Sequence, residues 1–218
     1  MLDGIKLAIF DMDGLIFDSE NLYVNTFPKI FKKYGHNLNK EQVVKTLGQN
    51  HKSVREYYTA EFPNIDFDLV NNELMTELIN SSNNGNLNMK IGVIELLEYL
   101  KVKNIKIAIA SSSKREMIEL YTKNANIFEY FDYIISGEDV VNSKPDPEIF
   151  IKAMKYFNIS PKETIIFEDS FNGIIAANKS GAFPIMIPDI LVPTEEIRNL
   201  TWKVFDNLLD FINECERI

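Results

Sequence analysis

Five short apolar runs, continuous rather than alternating, constrain this chain more than any other feature. They are "KLAIF" ending at Phe10, "IKIAIA" ending at Ala110, "YIIS" at 133–136, "TIIFE" at 164–168 and "PIMI" at 184–187. A strand that is apolar at every position is buried on both faces, as in a parallel sheet covered by helices on each side. Helical patterns lie between most of the runs. "GVIELLEYLKVKN" precedes the second run and "KREMIELYTKNA" follows it, with Ser113 and Glu116 spaced as a capping box. "DPEIFIKAMKYF" offers Asp146 as N-cap and Pro147 as first helical residue, and "SFNGIIAANKSG" closes on Gly181. The alternation predicts an α/β fold, a Rossmann-like doubly wound parallel sheet.

The alternation breaks once. After the first run, residues 17–88 show no strand pattern but two apolar stripes at helical spacing: Leu22, Tyr23, Phe27, Ile30, Phe31 and Tyr34, then Val70, Leu74 and Leu78. The expected division is an α/β core made of residues 1–16 and 89–218, with a helical insert over 17–88. The polar stretch "NSSNNGNLN", Asn80 to Asn88, reads as the hinge or loop of return. Ligands of parallel α/β sheets bind beyond the C-terminal strand ends, and the insert leaves the sheet from that end.

Charge and composition narrow the partners. The 218 residues are 45% hydrophobic and 25% charged, enough for one good core or a core plus a smaller domain. The formal net charge of −9 opposes binding to nucleic acid phosphates. Small anions remain possible ligands where a metal ion or a local lysine reverses the field. No apolar stretch approaches the roughly 20 residues of a membrane helix, and Asp11 and Asp13 interrupt any secretory apolar segment after Met1. The one cysteine, Cys215, fits a reducing, cytoplasmic setting. A monomer or weak homodimer is expected.

Chemistry gathers behind the runs. Asp11, Asp13 and Gly14 follow the first, Ser111, Ser112 and Ser113 the second, Lys144 the third, and Asp169 and Ser170 follow Glu168 at the end of the fourth. Parallel strand ends share one rim, so these groups should converge. Clustered carboxylates need a cation among them, and hard oxygen ligands with a phosphate favour Mg²⁺. Lysine and serine suit phosphoryl oxygens. One aspartate could act as nucleophile, and a second, off the metal, could exchange protons with the leaving oxygen and with water.

In this order "FDMDGLIFDSE", "IAIASSS", "SKPDPEIF" and "IIFEDSFNGIIAANKSGA" resemble the four motifs of the haloacid dehalogenase-like (HAD) hydrolase superfamily. They are similar to its phosphatase and β-phosphoglucomutase branch, which carries a helical cap between the first two motifs. The resemblance implies Asp11 as nucleophile and metal ligand. It implies Asp13 as general acid/base, with its backbone carbonyl on the metal. Ser111, with Ser112 beside it, would contact the phosphoryl group, Lys144 would neutralise it, and Asp169 would bind Mg²⁺ with Glu168 directly or through water. Gly14 would keep the turn clear beside the phosphate. His51, in the cap loop "LGQNHKS", is a candidate for substrate contact. The substrate would be a small phosphorylated metabolite, such as a sugar or nucleoside phosphate.

Two alternatives stand beside the phosphatase. A sugar-phosphate mutase of this branch carries a cap histidine, where this chain has Tyr23, and a cap-loop arginine, for which "GQNHKSVRE" offers only Arg55 out of register. A non-catalytic phosphometabolite-binding protein would need no intact catalytic set. Ser113 reads as a helix cap, and Asp18 and Ser19 as either capping or hinge residues.

Overall fold

In the computed structural model, which describes residues 2–49 and 51–217, the chain opens with β1 (Leu7–Phe10). Four helices follow: α1 (Ser19–Lys33), α2 (Lys40–Val44), α3 (His51–Glu61) and α4 (Phe67–Asn83). The alternation then resumes with α5 (Val93–Val102), β2 (Lys106–Ala110), α6 (Arg115–Asn124), β3 (Tyr133–Ile135), α7 (Glu148–Phe157), β4 (Thr164–Glu168), α8 (Phe171–Lys179) and β5 (Phe183–Met186). It closes with α9 (Glu195–Leu200), β6 (Lys203–Val204) and α10 (Leu208–Glu216). The strands form one parallel sheet in the order β3-β2-β1-β4-β5-β6. β6 is too short to leave an apolar run in the sequence.

The unbroken apolar strands are explained by two cores. Ala8, Phe10, Ile107, Ile109, Ile165 and Phe167 face one side, against Leu96, Leu97, Ile118 and Phe211. Leu7, Ile9, Ala108, Ala110 and Ile166 face the other, against Phe150, Ala153 and Ala177. Successive side chains alternate between faces, so both sets must be apolar. Chain order reverses at β1, with β2 on one side and β4 on the other. The rim above these three strands is therefore the topological switch point, where ligands of such sheets bind.

The helices α1–α4 bury their stripes in a core of their own: Phe27, Phe31, Val43, Tyr58, Phe67, Val70 and Leu74. Phe27 meets Phe31 and Tyr58 edge-to-face at 4.9 and 5.1 Å. Such pairs add about 0.5–1.5 kcal/mol each beyond area burial. Asn39 and Gln42 form a capping box on α2, and Asp66 accepts the Leu69 N–H to cap α4. The return connection is shorter than its composition indicates, because α4 continues through Asn83. The two connections are paired: Asp18 N–H donates to Asn88 O at 2.9 Å and Lys90 N–H to Ile16 O at 2.9 Å.

Two cap expectations shift. Ser113 does not begin α6; Lys114 holds the cap position, with no side-chain cap bond. Pro147, rather than Asp146, precedes α7, although Asp146 still accepts the Glu148 N–H at 2.9 Å. Among the described residues no helix is long and apolar enough to cross a membrane.

Candidate active site

Strand register builds the site. Phe10 pairs with Ile109 on one side and Phe167 on the other, which sets Asp11 beside Ala110 and Glu168 at one level. Asp11 N–H donates to Phe167 O at 3.0 Å, carrying the ladder one step past the strand. Asp11, Glu168 and Asp169 are all buried, and each offers a carboxylate oxygen within 4.8 Å of the others.

Lys144 closes the cluster from the opposite loop. Its Nζ donates to Asp11 Oδ1 at 2.5 Å, Glu168 Oε1 at 2.5 Å and Ala110 O at 3.0 Å. Burial acts to lower the Lys144 pKa, but Asp11 and Glu168 outweigh it and hold the ammonium above its usual range. The loop that delivers this lysine is fastened by Glu148, whose carboxylate accepts the N–H groups of Val141 and Asn142.

Glu168 is held on its other oxygen. Oε2 accepts the Ser170 N–H at 3.2 Å and the Ser170 Oγ–H at 3.0 Å, while that same Oγ accepts the Gly173 N–H and caps α8. One serine thus starts the helix and orients the carboxylate. Gly173 is required by this packing: a Cβ there would stand 1.9–2.1 Å from the Glu168 carboxylate. Burial raises the Glu168 pKa against the pull of Lys144.

Asp13 sits between two hydroxyls, accepting from Ser19 Oγ at 2.7 Å and Ser113 Oγ at 2.6 Å. Burial of its carboxyl, then the charge of Asp11, raises its pKa against these hydrogen bonds. Ser113 is therefore spent on Asp13 rather than on capping α6, and the Arg115 N–H at the start of that helix is taken by Glu138. Ser113 and Ser19 were the residues whose part in the site local pattern obscured. Both sit where a serine also reads as a helix cap.

Gly14 has φ +79°, and a Cβ there would meet Asp169 Oδ2 at 2.3 Å and Glu20 Cδ at 3.2 Å. Its N–H donates to Phe17 O at 2.9 Å. The glycine thus makes room for a carboxylate, and its donor is already used. Ser111 is buried at the end of β2, with its Oγ accepting the Ser113 N–H at 3.0 Å. Ser112 is exposed, with its backbone packed against Gly137.

Burial, followed by Glu20, raises the Asp169 pKa well above the usual carboxylate range. Glu20 is itself pushed up to about 9 by burial and then by Asp189. Neither Glu20 nor Asp189 stands out in the sequence; each is brought in by tertiary packing. Asp189 pairs with Lys90 at 2.6 Å.

The donor set fits a hard divalent cation. Asp11, Glu168 and Asp169 are oxygen ligands in excess of the cations that neutralise them, and burial makes that excess charge costly.

The insert reaches this rim at few points. Asn172 Nδ2 on α8 donates to Gly48 O at 3.0 Å. Lys52 lines an open cleft of about 490 Å³ with Asn142, Ser143, Pro145, Asp146 and Lys179. His51 instead turns towards α4, with Nε2 3.5 Å from Asn71 Nδ2 and its ring 5.9 Å from Phe67. Residues 51–53 belong to α3 rather than to a loop.

Comparison with known proteins agrees with this architecture. The family model described as haloacid dehalogenase-like hydrolase matches residues 8–187. A Drosophila melanogaster protein named "Probable pseudouridine-5'-phosphatase" is 30% identical over 97% of this chain and 93% of its own. The "Phosphorylated carbohydrates phosphatase" of Thermotoga maritima is 31% identical over 81% of this chain and 82% of its own. Among solved structures, a β-phosphoglucomutase from Clostridium difficile superposes with a TM-score of 0.76 at 26% identity, over 96% of each chain. This chain belongs to the haloacid dehalogenase-like hydrolase family.

Proposed function

We propose that this protein is a Mg²⁺-dependent phosphatase of small phosphorylated metabolites, sugar or nucleoside phosphates, working through an aspartyl-phosphate on Asp11. The observation that carries the reading is the junction of Asp11, Glu168 and Lys144 at the switch point, with Asp13 held beside it by two hydroxyls. The phosphatase names of the relatives support the same class.

In the first step an Asp11 oxygen attacks phosphorus and the bond to the leaving oxygen breaks. Asp13 delivers its proton to that oxygen. In the second step Asp13 takes a proton from water, the water oxygen attacks phosphorus, and the acyl-phosphate bond breaks to return Asp11 and release phosphate. Lys144 and Ser111 stabilise the phosphoryl oxygens. A Mg²⁺ ion held by Asp11 and Asp169, with the Asp13 carbonyl and with Glu168 directly or through water, would neutralise charge on the same oxygens.

Residues 17–88 act as a cap in this reading, hinged at the paired connections. The mutase alternative finds little support in the insert. Arg55 is engaged by Asp68 at 2.6 and 2.7 Å, and Tyr23 packs against the insert's own core, its ring 5.1 Å from Phe27.

The test is phosphate release from an aryl phosphate and a panel of sugar and nucleoside phosphates, with Mg²⁺ and with EDTA. The expected result is turnover that stops on chelation and returns with added Mg²⁺. Turnover undiminished in metal-free buffer would overturn the metal assignment. Phosphate binding without turnover of any substrate would favour the non-catalytic reading.

A further inference from the structure

Glu20 carries a carboxyl group that the reaction above does not use. It lies in the first turn of α1, directly after the connection that leaves the core. It is 8% exposed, and its Oε2 is buried with no hydrogen-bond partner. Burying a carboxylate oxygen without a donor is costly, so an uncompensated one calls for a missing partner. Lys144 is committed to Asp11 and Glu168, and Lys90 lies 2.6 Å from Asp189 and 3.7 Å from Asp18. Among the described residues no salt bridge reaches Glu20.

Its direction is defined by Gly14. The position of the missing Cβ is approached by Asp169 Oδ2 to 2.3 Å and by Glu20 Cδ to 3.2 Å. The core's candidate metal ligand and a carboxylate of the insert are thus brought together where that side chain is absent. Two carboxylates this close, with no cation between them, repel one another. A divalent ion at Asp11, Glu168 and Asp169 reverses the sign of that interaction.

We propose that Glu20 is a positioning residue that senses the divalent cation from the insert, accepting a hydrogen bond from a metal-bound water. Metal binding in the core thereby draws the start of α1 down onto the site. The inference rests on the metal reading of the Asp11–Glu168–Asp169 cluster and adds a residue from outside it. Glu20 belongs to the insert and the three ligands to the core, so cation occupancy and the seating of the insert become one equilibrium.

The test uses the full chain and its Glu20→Gln variant, which keeps the shape and removes the charge. Calorimetric titration with Mg²⁺ and Mn²⁺ gives affinity, melting with and without metal gives the increment in Tm, and hydrogen exchange reports the amides of residues 19–24. Partners of metal ligands commonly alter affinity by about 10–100-fold. Glu20→Gln is expected to weaken the metal about 10-fold, to hold or raise the metal-free Tm, to shrink the Tm increment, and to abolish metal-dependent protection of 19–24. Glu20→Asp should recover part of the affinity. A merely structural residue would instead lower the metal-free Tm and leave affinity alone. That result, or wild-type affinity in Glu20→Gln, overturns the inference; unchanged affinity with altered KM for particular substrates overturns it in favour of substrate contact. If the unmutated chain binds no divalent ion, the metal reading fails first and takes this one with it.

Discussion

The strand-end rim and the helical insert are built on opposite principles. At the rim, one register assignment places Asp11, Ala110 and Glu168 side by side, and Lys144 donates to all three. In the insert, the aromatic core is equally well packed, but the polar residues facing outward answer mostly to one another. Arg55 pairs with Asp68, His51 turns to Asn71, and Lys33 and Tyr34 bond Glu73. On the proposed reading, chemistry and selectivity are separable: the rim would carry the reactive groups, and the insert a cover and a few side chains at its edge.

The sharpest way to break that contrast is at Asp11. Asp11→Asn keeps the volume and removes the nucleophile, and the expected loss is on the order of 10⁴–10⁶-fold in kcat for every substrate. Steady-state assays across the panel check it. A near-normal rate would mean that water attacks directly and that the rim only positions the ester.

Asp13→Asn comes next. General acid/base catalysis contributes about 10²–10⁴-fold. The loss should be large for an alkyl phosphate and smaller for a nitrophenyl phosphate, whose leaving group needs little protonation. Equal losses would remove Asp13 from leaving-group protonation.

A smaller effect sharpens the comparison through packing. Gly173→Ala drives a methyl into the Glu168 carboxylate. Overpacking of this kind costs about 1–3 kcal/mol, so Tm should fall and activity with it as Glu168 is displaced from Lys144. Arg55→Ala in the insert removes an exposed pair with side chains 50% and 53% accessible, and should cost no more than about 1 kcal/mol. Thermal melting of both variants makes the comparison; a more severe loss at Arg55 would show that the insert is the less tolerant region.

The smallest expected effect distinguishes the insert's own residues. Lys52 lines the cleft against Asn142 and Lys179, whereas His51 faces α4. Lys52→Ala should reorder the preferred substrates by a few-fold in kcat/KM while leaving a small aryl phosphate nearly untouched. His51→Ala should do less. A uniform loss across all substrates in Lys52→Ala would instead place phosphate binding at that edge.

Legibility in the sequence follows the same divide. Asp11, Ser111, Glu168 and Asp169 could be read because each stands at or just beyond a strand end, and parallel strands bring such positions to one rim whatever the details; Lys144, on the long loop after β3, could be read from its motif "SKPDPEIF". Ser113 and Ser19 were masked by local pattern: a serine before a helix scores as a cap, and only the fold reveals that Asp13 lies within 2.7 Å of both hydroxyls. Glu20 and Asp189 were invisible for a stronger reason. Their positions depend on how the insert seats over the sheet and how the chain runs after β5, neither of which periodicity encodes. His51 differs: the titratable residue of a promising loop begins a helix and, while exposed, turns its ring towards Phe67 and Asn71 of α4. β6, two residues long, pairs with β5 at the edge and carries no pattern of its own.

The central claim is that Asp11 becomes covalently phosphorylated, and it can be measured directly. Wild-type protein and Asp13→Asn, in which hydrolysis of the intermediate is slowed, are mixed with substrate and Mg²⁺, quenched in acid and digested for mass spectrometry. One added phosphoryl group is expected on the peptide containing Asp11, stronger in Asp13→Asn and absent in Asp11→Asn. Release of phosphate by the wild-type protein with no mass gain on that peptide in either protein would contradict it.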